Sequence, residues 1–554
     1  MPSLRCSSAL LILALALLAG CGEEIRHDLP LTVDSLREAE TLAGLSFDSA
    51  ERALMIDDLR EQREAFAALR ALDIPNDVRP ALVFQPWPAG WAPASGGLAP
   101  RWTDPGDVRR PDDLDDLAFA SIGELSELLR TRSVTSVELT QIFLERMRRY
   151  GPELECVVTL TAERALASAA EADREIAAGR RRGPLHGVPY GVKDLLAVAG
   201  YPTTWGAAPY KNQVLDETAT VVKRLDEAGA VLCAKLTLGA LAWGDVWFGG
   251  TTRNPWNLEQ GSSGSSAGPA SAVSAGLVPF AIGSETWGSI VSPSTRCGVT
   301  GLRPTFGRVS RSGAMALSWT MDKLGPIARS AEDCAVVFDA IRGPDGRDPT
   351  LVDAPFSYSP DVDWSALRIG YVKDLFDAER DDKDIDDQAL AMLRGLGAVL
   401  VPINLPERDA MPISLVLSVE AAAAFEELTM SGRDDLLVSQ VRYAWPNVFR
   451  SAQMIPATAY VQANRARSLL IEEMSRVFDE VDLYVVPSFG GQNLLINNLT
   501  GHPCVVAPNG FMGEGRPHSW TFVGKLFDEA TICAVAQAWQ DRTGWHGMHP
   551  PKYR

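Results

Sequence analysis

The chain has 554 residues, of which 46% are hydrophobic and 22% are charged, so it can bury one large core or several smaller ones and is not a disordered protein. Its 71 acidic residues outnumber its 52 basic residues, and the formal net charge is -19. A surface this acidic repels phosphate backbones, which argues against nucleic acid as a partner.

The N-terminus has the plan of a secretory signal peptide. One positive charge at Arg5 precedes an apolar run from Ala9 to Leu18 that is too short to span a bilayer permanently. The run ends in Leu-Ala-Gly-Cys, which resembles the lipobox of bacterial lipoproteins, in which the cysteine is lipidated and becomes the mature N-terminus. We therefore expect a signal peptide over residues 1–20, lipidation of Cys21 and a location in the cell envelope, anchored to the membrane and facing the periplasm. An ordinary signal peptide with a chance cysteine is the alternative.

The remaining cysteines and the histidines bear on disulfides and metals. No CxxC pair exists among the six cysteines left after Cys6 and Cys21, and several flank apolar runs, as in AVLCAKL and TICAVAQ. This favours buried free thiols over disulfides. The chain has six histidines, and only His546 and His549 lie close together, so we expect no metal site.

After a tether over residues 21–33, the chain predicts a helical N-terminal extension over residues 34–117. The apolar spacing from Asp34 to Leu72 is helical, with Asp48 or Ser49 as a cap. The Pro- and Trp-rich passage that follows, residues 77–102, is too apolar for a linker, and we expect it to lie across a surface.

From Ala118 onward the pattern is that of a compact α/β domain over residues 118–554. Thr135 followed by Glu138 forms a capping box before a helix. An amphipathic helix, a short turn and a Val/Leu-rich strand then recur at VVKRLDEAGAVLCAKL, MLRGLGAVLVPI and MSRVFDEVDLYVVPS. This alternation predicts a sheet covered by helices.

The stretch EQGSSGSSAGPASAVSAG, residues 259–276, holds six serines and has three interpretations. A flexible linker is disfavoured because the stretch continues into small and apolar residues that need burial. A nucleophile elbow centred on Ser266, in Gly-Ser-Ser-Ala-Gly, is disfavoured because turn formers rather than a strand precede it. The third interpretation comes from the surrounding motifs.

These motifs are GVPYGVKDLLAVAGYPTTWGA at 187–207, AKLTLGALAWGDVWFGGTTRNPWN at 234–257, AIGSETWGSIVSPSTRCGVTGLRPTFGRVSRSG at 281–313 and NLTGHPCVVAPNG at 498–510. With them the chain resembles the amidase signature family, whose members hydrolyse amides with a Ser-Ser-Lys triad, from about residue 120 to the C-terminus. The resemblance implies a large mixed β-sheet flanked by helices on both faces, and no metal or organic cofactor.

The family pattern assigns the triad by register. The G-V-K-D context gives Lys193, and the Gly-Ser-Ile turn gives the nucleophile Ser289. Counting back from Ser289 without a gap places the bridging serine at Ser265, with Ser266 as its supporting neighbour. The more conspicuous pair at 262–263 is then a loop without a chemical role.

The chemistry explains these residue types. A serine hydroxyl is a weak nucleophile and needs a base, and a lysine can serve if burial keeps it neutral. In the family the proton passes from Ser289 through Ser265 to Lys193, and backbone N–H groups of Thr286, Trp287 and Gly288 hold the oxyanion. The alternative for Lys193 is a surface salt bridge with Asp194.

The chain departs from the family pattern around the nucleophile. Glu285 replaces the usual aspartate, Trp287 a glycine and Val291 an arginine, so the usual acid–arginine brace of this loop cannot form in the same way. Arg296 is the candidate substitute for that arginine. We expect Trp287 to form a wall of the acyl pocket, and other pocket-lining residues to come from about 410–460.

Residues 42–84 are also similar to the small C subunit of the tRNA-dependent glutamyl/aspartyl amidotransferase, which wraps around an amidase-fold subunit. This implies a fused two-helix wrap on the catalytic domain, and an envelope-spacer extension is the alternative. Export and acidic charge both disfavour tRNA amidation itself.

These features predict a lipid-anchored amidase outside the cytoplasm that acts on small-molecule or peptide amides. One alternative is an esterase or aryl acylamidase that uses the same triad. The other is a catalytically inactive binding lipoprotein on an amidase scaffold, which retention of all three triad residues disfavours. The substrate stays open between a charged amino acid amide, a fatty amide and a peptide C-terminal amide.

Overall fold

A computed structural model describes residues 30–72 and 74–554. The predicted signal peptide, Cys21 and most of the tether lie outside the described residues. The described chain divides at residue 73 into two compact units.

The first unit consists of two helices, α1 (Val33–Ala43) and α2 (Ser49–Arg70). Asp48 caps α2 by accepting the N–H groups of Ala50 and Glu51, which confirms one of the two predicted caps. An ion pair of 2.8 Å between Arg52 and Glu40 joins the two helices. Residues 74–113 contain no helix, so the extension expected over 34–117 is helical only in its first half.

The second unit contains the other helices and all of the described strands. Its strands are β1 (Val157–Leu160), β2 (Pro189–Lys193), β3 (Val231–Leu236), β4 (Val246–Trp247), β5 (Gly250–Thr251), β6 (Arg253–Asn254), β7 (Asn257–Gly261), β8 (Phe280–Glu285), β9 (Thr300–Arg303), β10 (Lys323–Ala328), β11 (Arg368–Val372), β12 (Val399–Ile403), β13 (Leu483–Pro487), β14 (Cys504–Met512) and β15 (Arg516–Gly524). Its helices are α3 (Ile122–Arg130), α4 (Ser136–Leu154), α5 (Ala162–Ala177), α6 (Thr220–Glu227), α7 (Ala267–Ser274), α8 (Val291–Cys297), α9 (Ala331–Ile341), α10 (Lys373–Asp377), α11 (Lys383–Gly395), α12 (Leu415–Ala424), α13 (Glu426–Met430), α14 (Trp445–Ala452), α15 (Ala457–Glu480), α16 (Asn493–Thr500) and α17 (Glu529–Thr543).

Eleven of the described strands form one mixed sheet, in the order β1-β3-β2-β8-β10-β9-β14-β15-β13-β11-β12. Successive residues of a strand point to opposite faces, and along β13 Leu483 and Val485 join one apolar cluster while Tyr484 and Val486 join another. Both faces of the sheet are therefore packed, as the predicted fold class requires.

The local predictions for this unit are confirmed. Thr135 caps α4 in a capping box with Glu138. The three recurring helix–strand units are α6–β3, α11–β12 and α15–β13. The six described cysteines are all buried free thiols.

The Pro- and Trp-rich passage lies across the surface of the second unit, as predicted. The rings of Trp87 and Trp91 pack on Phe527, with centroids 5.8 Å and 5.4 Å away. Phe84 meets Phe306 edge to face at 5.1 Å. Aromatic side chains thus hold this irregular backbone in place.

None of the helices in the described residues has the length and apolar character needed to cross a membrane.

Candidate active site

Sheet topology brings the predicted lysine and the predicted nucleophile together. Lys193 is the last residue of β2, and the turn that contains Ser289 follows β8. Strands β2 and β8 are parallel neighbours, so their carboxyl ends meet at the same edge of the sheet. The predicted bridging serine, Ser265, lies in the loop between β7 and α7 and reaches the same point.

Lys193 is fully buried and has only hydroxyl and carbonyl partners. Its Nζ lies 2.8 Å from the Oγ of Ser265, 2.8 Å from the Oγ of Ser284 and 3.2 Å from the Oγ of Ser266. Burial lowers the pKa of Lys193 well below its usual value, although the negative charges of Asp322 and Glu285 oppose this. A buried lysine held by neutral oxygens can act as a base.

The alternative for Lys193, a surface salt bridge with Asp194, is wrong. Asp194 instead pairs with Lys235 at 2.7 Å, and both side chains are buried. Successive residues of an extended chain point to opposite sides, so Lys193 and Asp194 have different surroundings.

Ser265 and Ser266 have different partners. The Gly264–Ser265 peptide bond is cis, and the Ser265 hydroxyl accepts a hydrogen bond from Lys193. The Ser266 hydroxyl is held by β8, where it donates to the carbonyl oxygen of Ser284 at 3.0 Å and accepts the N–H of Ser284 at 3.1 Å. The N–H of Ser266 donates to the carbonyl oxygen of Ser289 at 3.0 Å. Ser266 therefore joins the serine loop to the strand and to the nucleophile turn.

The sequence indicated no strand before this loop, and that was incorrect. The short strand β7 ends at Gly261, but it pairs only with β6, in a two-stranded hairpin outside the large sheet. Ser262 donates its hydroxyl to the carbonyl oxygen of Ser263, and the N–H of Ser263 donates to Asp245. Neither of these serines contacts Lys193.

Ser289 lies in the nucleophile turn, next to the residues described above. It is buried, with an exposed fraction of 9%. Gly288 has φ +87°, and a Cβ there would lie 3.0 Å from Leu494, so glycine fits this position best. Trp287 has no positive φ, and its side chain is 39% exposed. The N–H groups of Trp287 and Gly288 donate to no acceptor in residues 30–72 and 74–554, so they are available to a ligand. Thr286 donates its hydroxyl to Asp322 at 2.6 Å.

Glu285 braces the turn, and its partner is Arg303 rather than Arg296. The Glu285 carboxylate lies 2.7 Å from Arg303 and accepts the N–H groups of Ile290 at 2.8 Å and Val291 at 3.0 Å. Burial would raise the pKa of Glu285, but Arg303 and the N–H of Val291 outweigh it, and the pKa is about 2. Arg296 donates to Gln260 near the surface, so its suggested role is incorrect. The carboxylate thus fixes the backbone directly after Ser289, even without an arginine at 291.

Sequence reasoning missed two side chains of the site, Ser284 and Asp322. Ser284 gives Lys193 a third hydroxyl partner besides Ser265 and Ser266, and its place directly before Glu285 in AIGSETWGS was the available signal. Asp322 is partly buried and accepts the N–H groups of Leu317 at 2.8 Å and Ser318 at 2.9 Å besides the Thr286 hydroxyl. Burial raises the pKa of Asp322.

A cavity of about 350 Å³ lies beside the site, and Ser284 and Thr286 form part of its wall. The rest of the wall is mixed and includes Leu195, Ala242, Arg311, Met315, Leu317, Trp319 and Leu324. None of the lining residues comes from 410–460, where we expected them, and Trp287 does not line this cavity.

Among the described residues, one group of side chains has metal-ligand chemistry: Asp382, Asp386 and His518. Arg380 lies 2.7 Å from Asp382 and also pairs with Asp386. His518 and Asn509 approach Asp386 at 3.0 Å and 3.1 Å. One guanidinium already pairs with both carboxylates, so the group fits a polar network better than a cation site.

The chain is similar to known proteins over most of its length. The family model described as Amidase matches residues 138–507. The chain is 33% identical over 487 residues to the A subunit of the glutamyl-tRNA(Gln) amidotransferase of Carboxydothermus hydrogenoformans, a match covering 78% of this chain and 99% of that protein. It is also 33% identical over 482 residues to the corresponding protein of Nitrosomonas europaea, with coverage of 78% and 99%.

Two solved structures extend the comparison. The peptide amidase from Stenotrophomonas maltophilia matches with a TM-score of 0.71 and 31% identity, over 79% of this chain and 99% of that protein. A bacterial aryl acylamidase matches with a TM-score of 0.69 and 22% identity, over 77% of this chain and 97% of that protein, and this likeness concerns the fold alone.

Proposed function

This chain belongs to the amidase signature family, and from that membership we propose that it hydrolyses carboxamide bonds to a carboxylate and ammonia or an amine through an acyl-enzyme on Ser289. The observation that carries the proposal is the buried Lys193, whose Nζ lies 2.8 Å from the Ser265 hydroxyl beside the nucleophile turn. No metal or organic cofactor takes part in the proposed reaction.

In the proposed reaction, the Ser289 Oγ attacks the amide carbonyl carbon. Its proton passes to the Ser265 Oγ, and the Ser265 proton passes to the Nζ of Lys193, whose pKa burial lowers. The Ser289 hydroxyl bonds to no side chain in the described part of the chain, and catalytic hydrogen bonds of this kind often close only when substrate binds.

The tetrahedral oxyanion accepts the N–H groups of Thr286, Trp287 and Gly288. Collapse of the intermediate expels the amine, which takes the proton back from Lys193 through Ser265. Water then repeats the sequence on the ester, releases the carboxylate and restores Ser289.

The brace around Glu285 supports an active enzyme over an inactive binding scaffold. A fully buried ion pair is expensive to maintain, and this one fixes the backbone at Ile290 and Val291, directly after the nucleophile. A protein that only binds a ligand does not need a buried lysine of lowered pKa next to a serine whose neighbouring backbone is held by Glu285.

The test is a screen of the purified protein against primary amides, N-alkyl amides and the matching esters, with release of ammonia, amine or alcohol as the readout. The proposal predicts amide hydrolysis that Ser289→Ala abolishes. Ester cleavage without amide cleavage would favour the esterase alternative, and no turnover of either class would favour a binding lipoprotein.

We also propose that the protein is an exported lipoprotein anchored through Cys21, because the first residues carry the plan of a signal peptide and a lipobox-like end. Under this proposal the protein does not take part in tRNA amidation, although its relatives are named as A subunits of the glutamyl-tRNA(Gln) amidotransferase. The two helices α1 and α2 are then a fused counterpart of a C subunit.

A further inference from the structure

One wall of the cavity beside the site comes from outside the family match. Asp77, Arg79 and Pro80 line it together with Ser284 and Thr286. We call residues 76–80 the N-terminal wall segment. The family match begins only at residue 138, so this wall lies outside the residues that the family model matches.

Asn76 fastens the N-terminal wall segment to the loop at Ala316, which also lines the cavity. Its Oδ1 accepts the N–H of Ala316 at 2.7 Å, and its Nδ2 donates to the carbonyl oxygen of Ala316 at 3.0 Å. The same Nδ2 lies 3.2 Å from the carbonyl oxygen of Ala424. One side-chain amide therefore satisfies both backbone groups of Ala316, as a neighbouring strand would.

The loop that Asn76 holds is itself connected to the nucleophile turn. Residues 314–317 line the cavity, and the N–H of Leu317 donates to Asp322. Asp322 also accepts the hydroxyl of Thr286. A continuous series of hydrogen bonds thus runs from Asn76 through this loop to the turn that carries Ser289.

Arg79 fixes the other end of the N-terminal wall segment. Its guanidinium pairs with the buried Asp348, which also lies 3.1 Å from Arg311. The Arg79 side chain is only 19% exposed. Arg79 and Arg311 thus share one buried carboxylate, and the ion pair of Arg79 with Asp348 restrains the N-terminal wall segment beside the cavity.

We propose that the N-terminal wall segment determines specificity in the amidase reaction proposed above, by limiting the size of the substrate group that the cavity accepts. A cavity of about 350 Å³ lies at the small end of ligand sites. Its wall is mixed, with Asp77, Arg79 and Arg311 beside Leu195, Met315 and Leu324, and suits a compact substituent. The preferred substrates are therefore amides with a short substituent on the side that enters the cavity, and amides with a longer chain on that side are poorer substrates.

The test compares wild-type protein with Arg79→Ala and Asn76→Ala. The substrates are straight-chain primary amides from acetamide to decanamide and N-alkyl acetamides of the same lengths. The measured quantity is kcat/KM for the longest amide of a series divided by kcat/KM for the shortest. In one of the two series, we expect this ratio to be at least roughly tenfold higher in Arg79→Ala than in wild-type protein, since a pocket discriminates by about that factor per methylene group. We expect Asn76→Ala to raise KM for acetamide more than it changes kcat. Without Asn76, the loop at residues 314–317 is less well held, which weakens substrate binding more than it slows the catalytic step.

Val78→Ala is the matched control, since Val78 lies within the segment but does not line the cavity. Thermal melting of each variant separates loss of fold from loss of selectivity. An unchanged length profile in both Arg79→Ala and Asn76→Ala, with acetamide still hydrolysed, would overturn the inference and leave the amidase proposal standing. Failure of folded wild-type protein to hydrolyse any amide, either in these two series or in the wider screen described above, would overturn both.

Discussion

At the scale of single residues, Lys193 is the most informative position. It is fully buried, and its Nζ contacts only the hydroxyl and carbonyl oxygens of nearby serines. Its neutral form is the base, and burial lowers its pKa, so activity is present above that pKa and falls as the pH drops through it. We expect kcat/KM to have an acidic limb well below the usual lysine range, and activity that rises only near the usual lysine pKa would contradict this.

Replacement of the lysine gives a second prediction. Lys193→Met removes the base, and we expect kcat to fall on the order of 10³-fold with the melting temperature kept or raised, since the methionine fits a buried site. Lys211→Met is the control, because Lys211 is exposed. Kinetics and thermal melting of both variants check the prediction, and a Lys193→Met enzyme of near wild-type rate would rule the lysine out as base.

The buried pair of Glu285 and Arg303 gives a stability prediction. The folded pKa of Glu285 is about 2 against an ordinary 4.5, so the carboxylate contributes stability above pH 4.5 that is lost as the pH falls towards 2, about 3 kcal/mol in all. Arg303→Met should lower the free energy of unfolding by about 3–5 kcal/mol because it leaves a buried charge unpaired. Adding Glu285→Gln should restore part of that loss in denaturant titrations, whereas a double variant as unstable as the sum of the single variants would refute the coupling.

The residues that the sequence could and could not predict differ in one physical respect. Lys193 and Ser289 lie in short local motifs, and Ser265 follows from them by counting. The pairing of Glu285 with Arg303 depends on strand order, because β8 and β9 both lie next to β10 and so bring their last residues together. No local pattern reveals which strands are neighbours, and Arg296, which is nearer in sequence, was the wrong choice.

At the scale of elements, the turn from β8 to α8 shapes the nucleophile. Gly288 has φ +87°, and a Cβ there would lie 3.0 Å from Leu494 and 3.1 Å from Ser292. Gly288→Ala should therefore distort the turn and lower kcat, with a backbone cost of about 1–2 kcal/mol. Gly544→Ala is a matched control, since Gly544 has φ +71° at the end of α17 and open space around its Cβ.

The control should lose stability and keep its activity, whereas Gly288→Ala should lose both. Equal kcat values for the two variants would show that the turn tolerates a side chain.

Elements such as α4, α6 and β13 were predictable because their apolar spacing is local. The course of residues 77–102 across a surface was predicted too, but the distant residues that fix this segment, such as Phe306 and Phe527, were not.

At the scale of the whole molecule, the fold is an eleven-stranded mixed sheet with both faces packed, and its carboxyl edge at β2 and β8 carries the site. The class of fold followed from alternating helices and strands. The order of the strands did not, because pairing across the sheet joins residues that are far apart in sequence. The cavity wall at residues 76–80 also escaped prediction for that reason.

The proposed lipid anchor at Cys21 determines where the whole molecule is located. If Cys21 is lipidated, the mature protein sediments with membranes, and Cys21→Ser releases it in soluble form with its amidase activity intact. Fractionation followed by activity assay of both fractions checks this. Wild-type protein that is soluble and still carries its first 20 residues would contradict the lipoprotein proposal.

Reaction with a fluorophosphonate, followed by peptide mass spectrometry, identifies the nucleophilic serine of the proposed reaction. We expect one adduct, on Ser289, in folded wild-type protein. Labelling should be slowed strongly in Ser265→Ala and Lys193→Met, because neither variant can remove the Ser289 proton. An adduct on Ser265, Ser266 or another serine, or no adduct in folded wild-type protein, would contradict the proposed reaction.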